Sequence, residues 1–312
     1  MFKLYNRCMA QELTPAAADT IVVSLLNPSG APAGAAHLVA KLDHLVHGLR
    51  VSGHLSELSA DQVKNIIWAL HDAGHLRSAS PVAPEGVSPT YDQDGLISIH
   101  NADFLEEPRF VAAYARGIAA AGCDYNFRWR VHVGLWAASH ASKLAGDFVE
   151  CGVNRGFMSS AMMQYLDWNQ LSRRFFLLDT FRGLDERFIA DEEKAIGRSA
   201  ASFGYAECFE EARKNFAEFH NVFLIRGPIP LTLPDVDSEQ VCYLHLDMNC
   251  APPEVAALEY FWEKLVPGAV VLLDDYGAPG HGFQKTSMDR VARERGQQIL
   301  TLPTCQGLLI KE

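Results

Sequence analysis

The sequence contains no Gly-x-Gly-x-x-Gly, so the ordinary dinucleotide fingerprint is missing. It has no Cys-x-x-Cys pair. Its seven cysteines, an odd number, suit neither a disulfide framework nor a zinc site and point to a reducing cytoplasm. No stretch approaches the roughly 18 consecutive apolar residues of a membrane span. The first eight residues carry neither the long apolar run nor the cleavage pattern of a signal peptide. Basic residues are sparse and unclustered. With 27 Lys and Arg against 38 Asp and Glu the net charge is −11, which argues against nucleic acid or an anionic membrane as partner. No internal repeat is present. Apolar residues, by contrast, make up 48% of the 312, enough for one large domain or for a core domain with a smaller appendage.

From about Phe127 onward, apolar runs alternate with helical segments, the mark of βαβ units and a doubly wound α/β sheet. Strands are predicted at 148–151, 175–178, 222–225, 242–246 and 269–273. A closing hairpin is predicted at 298–302 and 307–310, around Pro303-Thr304-Cys305-Gln306. Met158, Ala161, Met162 and Tyr165 recur at i, i+3, i+4, i+7, as do Val133, Trp136, Ala137 and His140, and both sets predict core-facing helices. Residues 78–89 are rich in Ser, Pro and Gly. They divide the chain into a unit at 1–80, a linker at 81–100 and a main domain at 101–312. In the first unit, Ser59-Ala60-Asp61-Gln62 forms a capping box ahead of an apolar stripe at Val63, Ile66, Ile67 and Leu70, with Gly74 as the stop. With helical patterns at 16–26 and 35–49, this segment is expected to be a three-helix or winged-helix unit, by default for dimerisation into a homo-oligomer, with peptide or carrier-protein binding and lid formation as the alternatives.

The candidate site residues stand where strands end, which in such a sheet is where ligands bind. After the first strand come Glu150, Gly152, Asn154 and Gly156, a glycine turn opening onto a helix, against which a cofactor can lie on bare backbone. Glu-x-Gly-x-x-x-Gly suits S-adenosylmethionine, whose cationic methionine end has no pyrophosphate to cradle; the alternative is a tight turn in any α/β protein. Asp179, followed by Thr180 and Phe181, is placed either to accept ribose hydroxyls or to cap the next segment. Gly227 follows the third strand. Asp247 ends the fourth, and Asp274 and Asp275 end the fifth. Three clustered carboxylates need a counter-charge, which a hard divalent cation such as Mg²⁺ or Mn²⁺ supplies, unless one caps a helix and another faces solvent. Residues 185–205 are long and polar for a βα connection and read as a substrate lid or a surface insertion.

Assembled, these residues resemble the class I S-adenosylmethionine-dependent methyltransferases, and among them the macrocin O-methyltransferase family. The resemblance rests on Gly-Asp-Phe-Val-Glu-Cys-Gly-Val-Asn-Arg-Gly (146–156), Leu-Asp-Thr-Phe-Arg-Gly-Leu (178–184), Arg-Gly-Pro-Ile-Pro-Leu-Thr-Leu-Pro (226–234), Leu-His-Leu-Asp (244–247), Leu-Val-Pro-Gly-Ala-Val-Val-Leu-Leu-Asp-Asp-Tyr-Gly (265–277) and Pro-Gly-His-Gly-Phe-Gln-Lys (279–285). It implies a seven-stranded methyltransferase sheet and metal-assisted methyl transfer from S-adenosylmethionine to a small-molecule hydroxyl, on a sugar or natural-product intermediate. It also implies cofactor contacts at Glu150, Gly152 and Asp179, and a metal triad of Asp247, Asp274 and Asp275. Two departures stand out. The usual Asp-x-Asp-x-Tyr-Glu reads Asp-Met-Asn-Cys-Ala-Pro here, so Asn249 replaces a carboxylate, and Cys250 stands where catechol-type enzymes carry a lysine base. His281 and His245 are then the candidate bases. The readings from other classes are an aminopropyl-type transferase using a donor derived from S-adenosylmethionine, and a non-catalytic peptide-recognition module.

Overall fold

The computed structural model describes residues 88–312. The chain divides into two compact units, Met1–Asn101 and Ala102–Glu312. The described part of the first holds an antiparallel hairpin of β1 (Tyr91–Gln93) and β2 (Leu96–Ser98), turned by Asp94 and Gly95, both at positive φ. That is the mirror-image turn whose twist matches paired strands. The stretch expected as a linker therefore contains paired strands. The helical unit expected at 1–80 lies outside the described residues.

In the second unit, α1 (Pro108–Ala121) begins with proline in its first turn and stops at Gly122, in the left-handed conformation. Helix α2 (Arg128–Ala141) buries Val131, Leu135, Ala138 and Ala141. The predicted stripe was rotated from this one: Trp136 is 50% exposed and stacks on His140 outside the core. Both faces of α2 carry apolar residues, so periodicity alone had no means to choose between them. Strand β3 (Asp147–Cys151) leads into α3 (Phe157–Tyr165), whose first seven residues are all buried. There follow β4 (Phe175–Asp179), the short α4 (Asp191–Ala195), α5 (Phe209–Phe216), β5 (Val222–Arg226) and β6 (Val241–Leu246). The chain continues through α6 (Ala251–Phe261), β7 (Leu265–Leu273), α7 (Gly282–Glu294), β8 (Leu300–Thr301) and β9 (Gly307–Ile310).

The seven-stranded sheet runs in the order β5-β4-β3-β6-β7-β9-β8. Strands β3 to β7 are mutually parallel, and β9 and β8 close one edge antiparallel. All seven predicted strands are present, and the expected closing hairpin is β8–β9. A separate core lies on each face of the sheet. One joins α1, α2 and α3 to Phe148, Phe175, Leu177 and Tyr243; the other joins α6 and α7 to Val149, Cys151, Leu178, Leu244 and Val271. Strands buried on both faces are continuous apolar runs, which is why they were legible. The order reverses between β3 and β6, opening a crevice beyond their carboxyl ends.

Phe148 is fully enclosed at the centre of the first core, against Trp168, Phe175 and Tyr243. Phe148→Ala is expected to lower stability by about 3–5 kcal/mol, as for other buried aromatic truncations. Urea unfolding read as a shift in midpoint at constant slope checks this.

Candidate active site

The tip of β3 is wedged between its neighbours. Gly152 donates its N–H to Leu178 O at 2.8 Å, while Cys151 O accepts from Asp247 N at 2.8 Å. With φ at +93°, a Cβ on Gly152 would lie 1.9 Å from the Asp247 carbonyl oxygen, so no other residue fits. The turn beyond it is pinned by Asp179. Its Oδ2 accepts from Val153 N at 2.6 Å and Asn154 N at 2.7 Å, and its Oδ1 accepts from Phe181 N at 2.6 Å. The carboxylate expected at a ribose is thus engaged by three of the chain's own amides. Gly227 N donates to the Asp179 carbonyl, and Thr180 Oγ1 donates to Gly183 O. The Phe181 ring is buried against Phe209, the Asn154 side chain accepts from Cys208 Sγ, and Gly156 caps α3 beside Phe216. The structure therefore gathers all the predicted cofactor residues at one place. Thr180 and Phe181 serve the turn through internal bonds and packing.

Strand register builds the second half of the site. Glu150 on β3 is paired with His245 on β6, and His245 with Leu272 on β7, two residues before Asp274. Because side chains alternate, Glu150, His245 and Asp274 form a row on the face covered by α1–α3. All are buried, with exposures of 2%, 1% and 6%. His245 Nδ1 lies 2.8 Å from Glu150 Oε1, and Nε2 lies 3.6 Å from Asp274 Oδ1. Burial alone would depress the imidazole, but hydrogen bonds and charge from Asp274 and Glu150 overcome it and hold its pKa up at about 10. His245 is a positive link between two carboxylates.

Arg130, in the first turn of α2, completes the row. Its Nη1 donates to Asp274 Oδ2 at 2.8 Å and lies 3.6 Å from Asp275 Oδ1. Gln306, from the β8–β9 turn, donates to Asp274 Oδ1 at 3.1 Å. Although burial opposes it, Arg130 and His245 hold the Asp274 carboxyl well below the usual range. Burial and the charges of Asp274 and Asp275 push Asp247 well above its usual range. Asp275 is raised too, chiefly by burial, against the opposing pull of His281. Asp247, Asp274 and Asp275, expected to share a divalent ion, lie close enough beyond β6 and β7 to act on one another's charge. Arg130 and His245 lie against Asp274, and Arg130 and His281 against Asp275, and among the described residues no group of three or more His, Cys, Asp and Glu is arranged to hold a metal.

The third element is the segment predicted as a lid, residues 185–205. Buried Glu193 accepts from Ala251 N at 2.8 Å at the start of α6, and Arg198 donates to Gly280 O at 3.0 Å after β7. The Tyr205 hydroxyl lies 3.5 Å from Asn249 Nδ2, which is 3.4 Å from Asp247 Oδ1. The segment thus docks beyond the ends of both β6 and β7. His281 is brought to the acidic cluster as predicted, 3.7 Å from Asp275 Oδ2. Its Nε2, however, faces Arg198 Nη1 at 3.1 Å, so the lone pair a base would use is engaged. Burial, with Arg198 adding to it, holds its pKa below the ordinary value.

Sequence reasoning missed Arg130, Glu193, Arg198, Tyr205, Glu254 and Gln306. Only Glu193, Arg198 and Tyr205 carried a signal, through the length of the segment at 185–205.

The macrocin-O-methyltransferase (TylF) family profile matches residues 135–301, more than half of the chain and all of the strands that carry the site. This chain belongs to the macrocin-O-methyltransferase family. It is 28% identical over 148 residues to the 8-demethyl-8-(2,3-dimethoxy-alpha-L-rhamnosyl)-tetracenomycin-C 4'-O-methyltransferase of Streptomyces olivaceus, an overlap of 44% of this chain and 55% of that protein. The chain thus spans about half the length of the curated relative it matches. In fold it is similar to the O-methyltransferase NovP, with a TM-score of 0.52 and 19% identity over 67% of this chain and 98% of that one. A calicheamicin methyltransferase overlaps 58% of this chain and 77% of its own, at 19% identity and a TM-score of 0.47.

In this family member the loop after β6 is held by Glu254. Its Oε1 accepts from Met248 N at 3.1 Å and from Gln284 Nε2, and burial pushes its pKa up from 4.5 to about 8. The folded state keeps a proton that the unfolded chain releases near 4.5, so stability from this group is full below that pH and lost as pH rises toward 8. His245 adds a fall of the same sign, beginning near its ordinary 6.5 and running to about 10. Glu254→Gln is expected to make the fall between about 4.5 and 8 shallower, the rest of it coming from Asp247 and Asp275, and to leave the part due to His245. Urea unfolding at a series of pH values would show it.

Proposed function

We propose that this chain transfers a methyl group from S-adenosylmethionine to a hydroxyl of a small molecule, on a sugar unit or another natural-product intermediate. The observation that carries the reading, within a family of O-methyltransferases, is Glu150 Oε2. This oxygen is buried beside the Gly152 turn and has no hydrogen-bond partner among the described residues. A buried acceptor left unpaired costs about 1–3 kcal/mol, more when charged. The ammonium group of the cofactor's methionine end is a donor of matching charge. Gly152, Asn154 and Gly156 provide the bare turn beside it, with Gly227 beyond, and Asp179 holds that turn in place. When bound, S-adenosylmethionine supplies a methyl already activated by its sulfonium.

The protein's own part is orientation and proton acceptance. Asp247 is the one of the three clustered aspartates that no basic side chain pairs with among the described residues. Its backbone borders the Gly152 turn, and Asn249 orients its Oδ1. A carboxylate with raised proton affinity in that position suits acceptance of the hydroxyl proton. Asn249, which replaces the usual family carboxylate, serves here as a donor to the base. The segment at 185–205, with Tyr205, covers the acceptor side. The Streptomyces olivaceus relative is named for 4'-O-methylation of a compound carrying a dimethoxyrhamnosyl group, which supports a sugar hydroxyl as acceptor. No step is assigned to a divalent ion, because Arg130 and His245 already engage Asp274. A reducing cytoplasm is the setting this reading expects, from an odd number of cysteines without metal-ligand spacing.

The purified chain is expected to bind S-adenosylmethionine and its demethylated product with micromolar affinity by calorimetry. Glu150→Gln should weaken binding by about tenfold or more, the scale of a lost charge-assisted hydrogen bond. Asp247→Asn should keep cofactor affinity within a few fold while reducing labelled methyl transfer to acceptors in host extract by roughly 10²–10⁴-fold. A folded wild-type chain that binds neither compound would sink the reading.

A further inference from the structure

The acidic end of this site is arranged around a guanidinium. Asp274 is bonded through both oxygens, Oδ2 by Arg130 at 2.8 Å and Oδ1 by Gln306 at 3.1 Å, with His245 Nε2 at 3.6 Å. Asp275 has Arg130 at 3.6 Å on one oxygen and His281 at 3.7 Å on the other. Arg130, Asp274 and Asp275 retain side-chain exposures of 15%, 9% and 13%, so this is an enclosed ion-pair cluster and not a surface contact. A magnesium-sized ion needs carboxylate oxygens at about 2.0–2.1 Å in near-octahedral array. It would have to take oxygens already engaged by a fixed positive charge, and that charge would repel it at close range in a poorly screened setting.

We propose that Arg130 is the resident cation of this site: its guanidinium stands where a divalent ion would bind, so the chain neutralises its own carboxylates and a metal gains a site only when Arg130 is removed. Arginine suits the place because its planar fork can reach two carboxylates from one position and stays charged at all working pH values. Its origin on α2 also ties that helix to the ends of β6 and β7 through His245 and Asp274. Arg130 is on this view a positioning residue, which sets the charge and direction of Asp274 and Asp275 and leaves Asp247 unpaired beside the glycine turn. This deepens the methyltransferase reading and rests on it for any role in turnover, whereas metal affinity is measured independently of it.

The test uses the full chain, stripped with EDTA and titrated with Mn²⁺, comparing wild type with Arg130→Met and Arg130→Lys. Free Mn²⁺ is read by electron paramagnetic resonance and stability by thermal melting. Wild type is expected to bind Mn²⁺ only at millimolar concentration and to melt at the same temperature with Mn²⁺ or EDTA. Arg130→Met should melt lower, bind Mn²⁺ at least about tenfold more tightly and regain melting temperature when it is added. Arg130→Lys, which keeps the charge, should resemble wild type toward Mn²⁺. Should Arg130→Met fail to fold, Arg130→Gln, which keeps a donor toward Asp274, takes its place with the same expectation. A micromolar Mn²⁺ site in wild type, or a neutral variant that binds Mn²⁺ no better than wild type, overturns the assignment. Calorimetry with S-adenosylmethionine on the same samples separates the two ideas, since loss of cofactor binding in wild type refutes the methyltransferase reading and leaves the Mn²⁺ comparison intact.

Discussion

The structure around the crevice depends on a row of buried charges that alternates in sign from Glu150 through His245 and Asp274 to Arg130. Each is enclosed, and each lies against its neighbour in the row. Breaking such a row at one member leaves an uncompensated buried charge, which costs far more than an exposed pair. The row also crosses from one layer of the molecule to another. It links β3 to β6 and β7 within the sheet and then leaves the sheet for α2, so the helix cannot shift without disturbing the strand ends.

That constraint divides the crevice into two halves. On the β3–β4 side, Asp179 spends its carboxylate on the amides of Val153, Asn154 and Phe181, so the glycine turn is held open by a charge that lies beneath it. On the β6–β7 side, Arg130 and His245 hold Asp274, and Asp247 is left without a basic partner among the described residues. The lid segment bridges the ends of this second half. Glu193 holds the start of α6 and Arg198 the β7–α7 connection through backbone atoms, while Arg198 and Tyr205 also reach the side chains of His281 and Asn249.

Much of this was legible. Parallel strands buried on both faces read as apolar runs, and the carboxylates that terminate them stand out against those runs. Glu150, Asp179, Asp247, Asp274 and Asp275 were therefore identifiable at strand ends. Arg130 was not, because it lies 144 residues from Asp274 and in the first turn of a helix whose pattern speaks only of packing. Trp136 shows the same limit for packing itself: α2 has apolar residues on both faces, and only the neighbouring α3 and sheet decide which face is covered.

What the amino-acid order determined by itself was the set of elements, their order along the chain and the polar residues delivered at each strand end, since these follow from local periodicity and turn chemistry. What only the tertiary structure decided was the partnership of each charge. Asp179 pairs with the turn that follows a different strand, and Asp274 with an arginine from a different layer. A carboxylate's role is set by what faces it in space. Three clustered aspartates call for a cation by electrostatics alone, but whether that cation comes from solution or from the chain depends on where α2 packs.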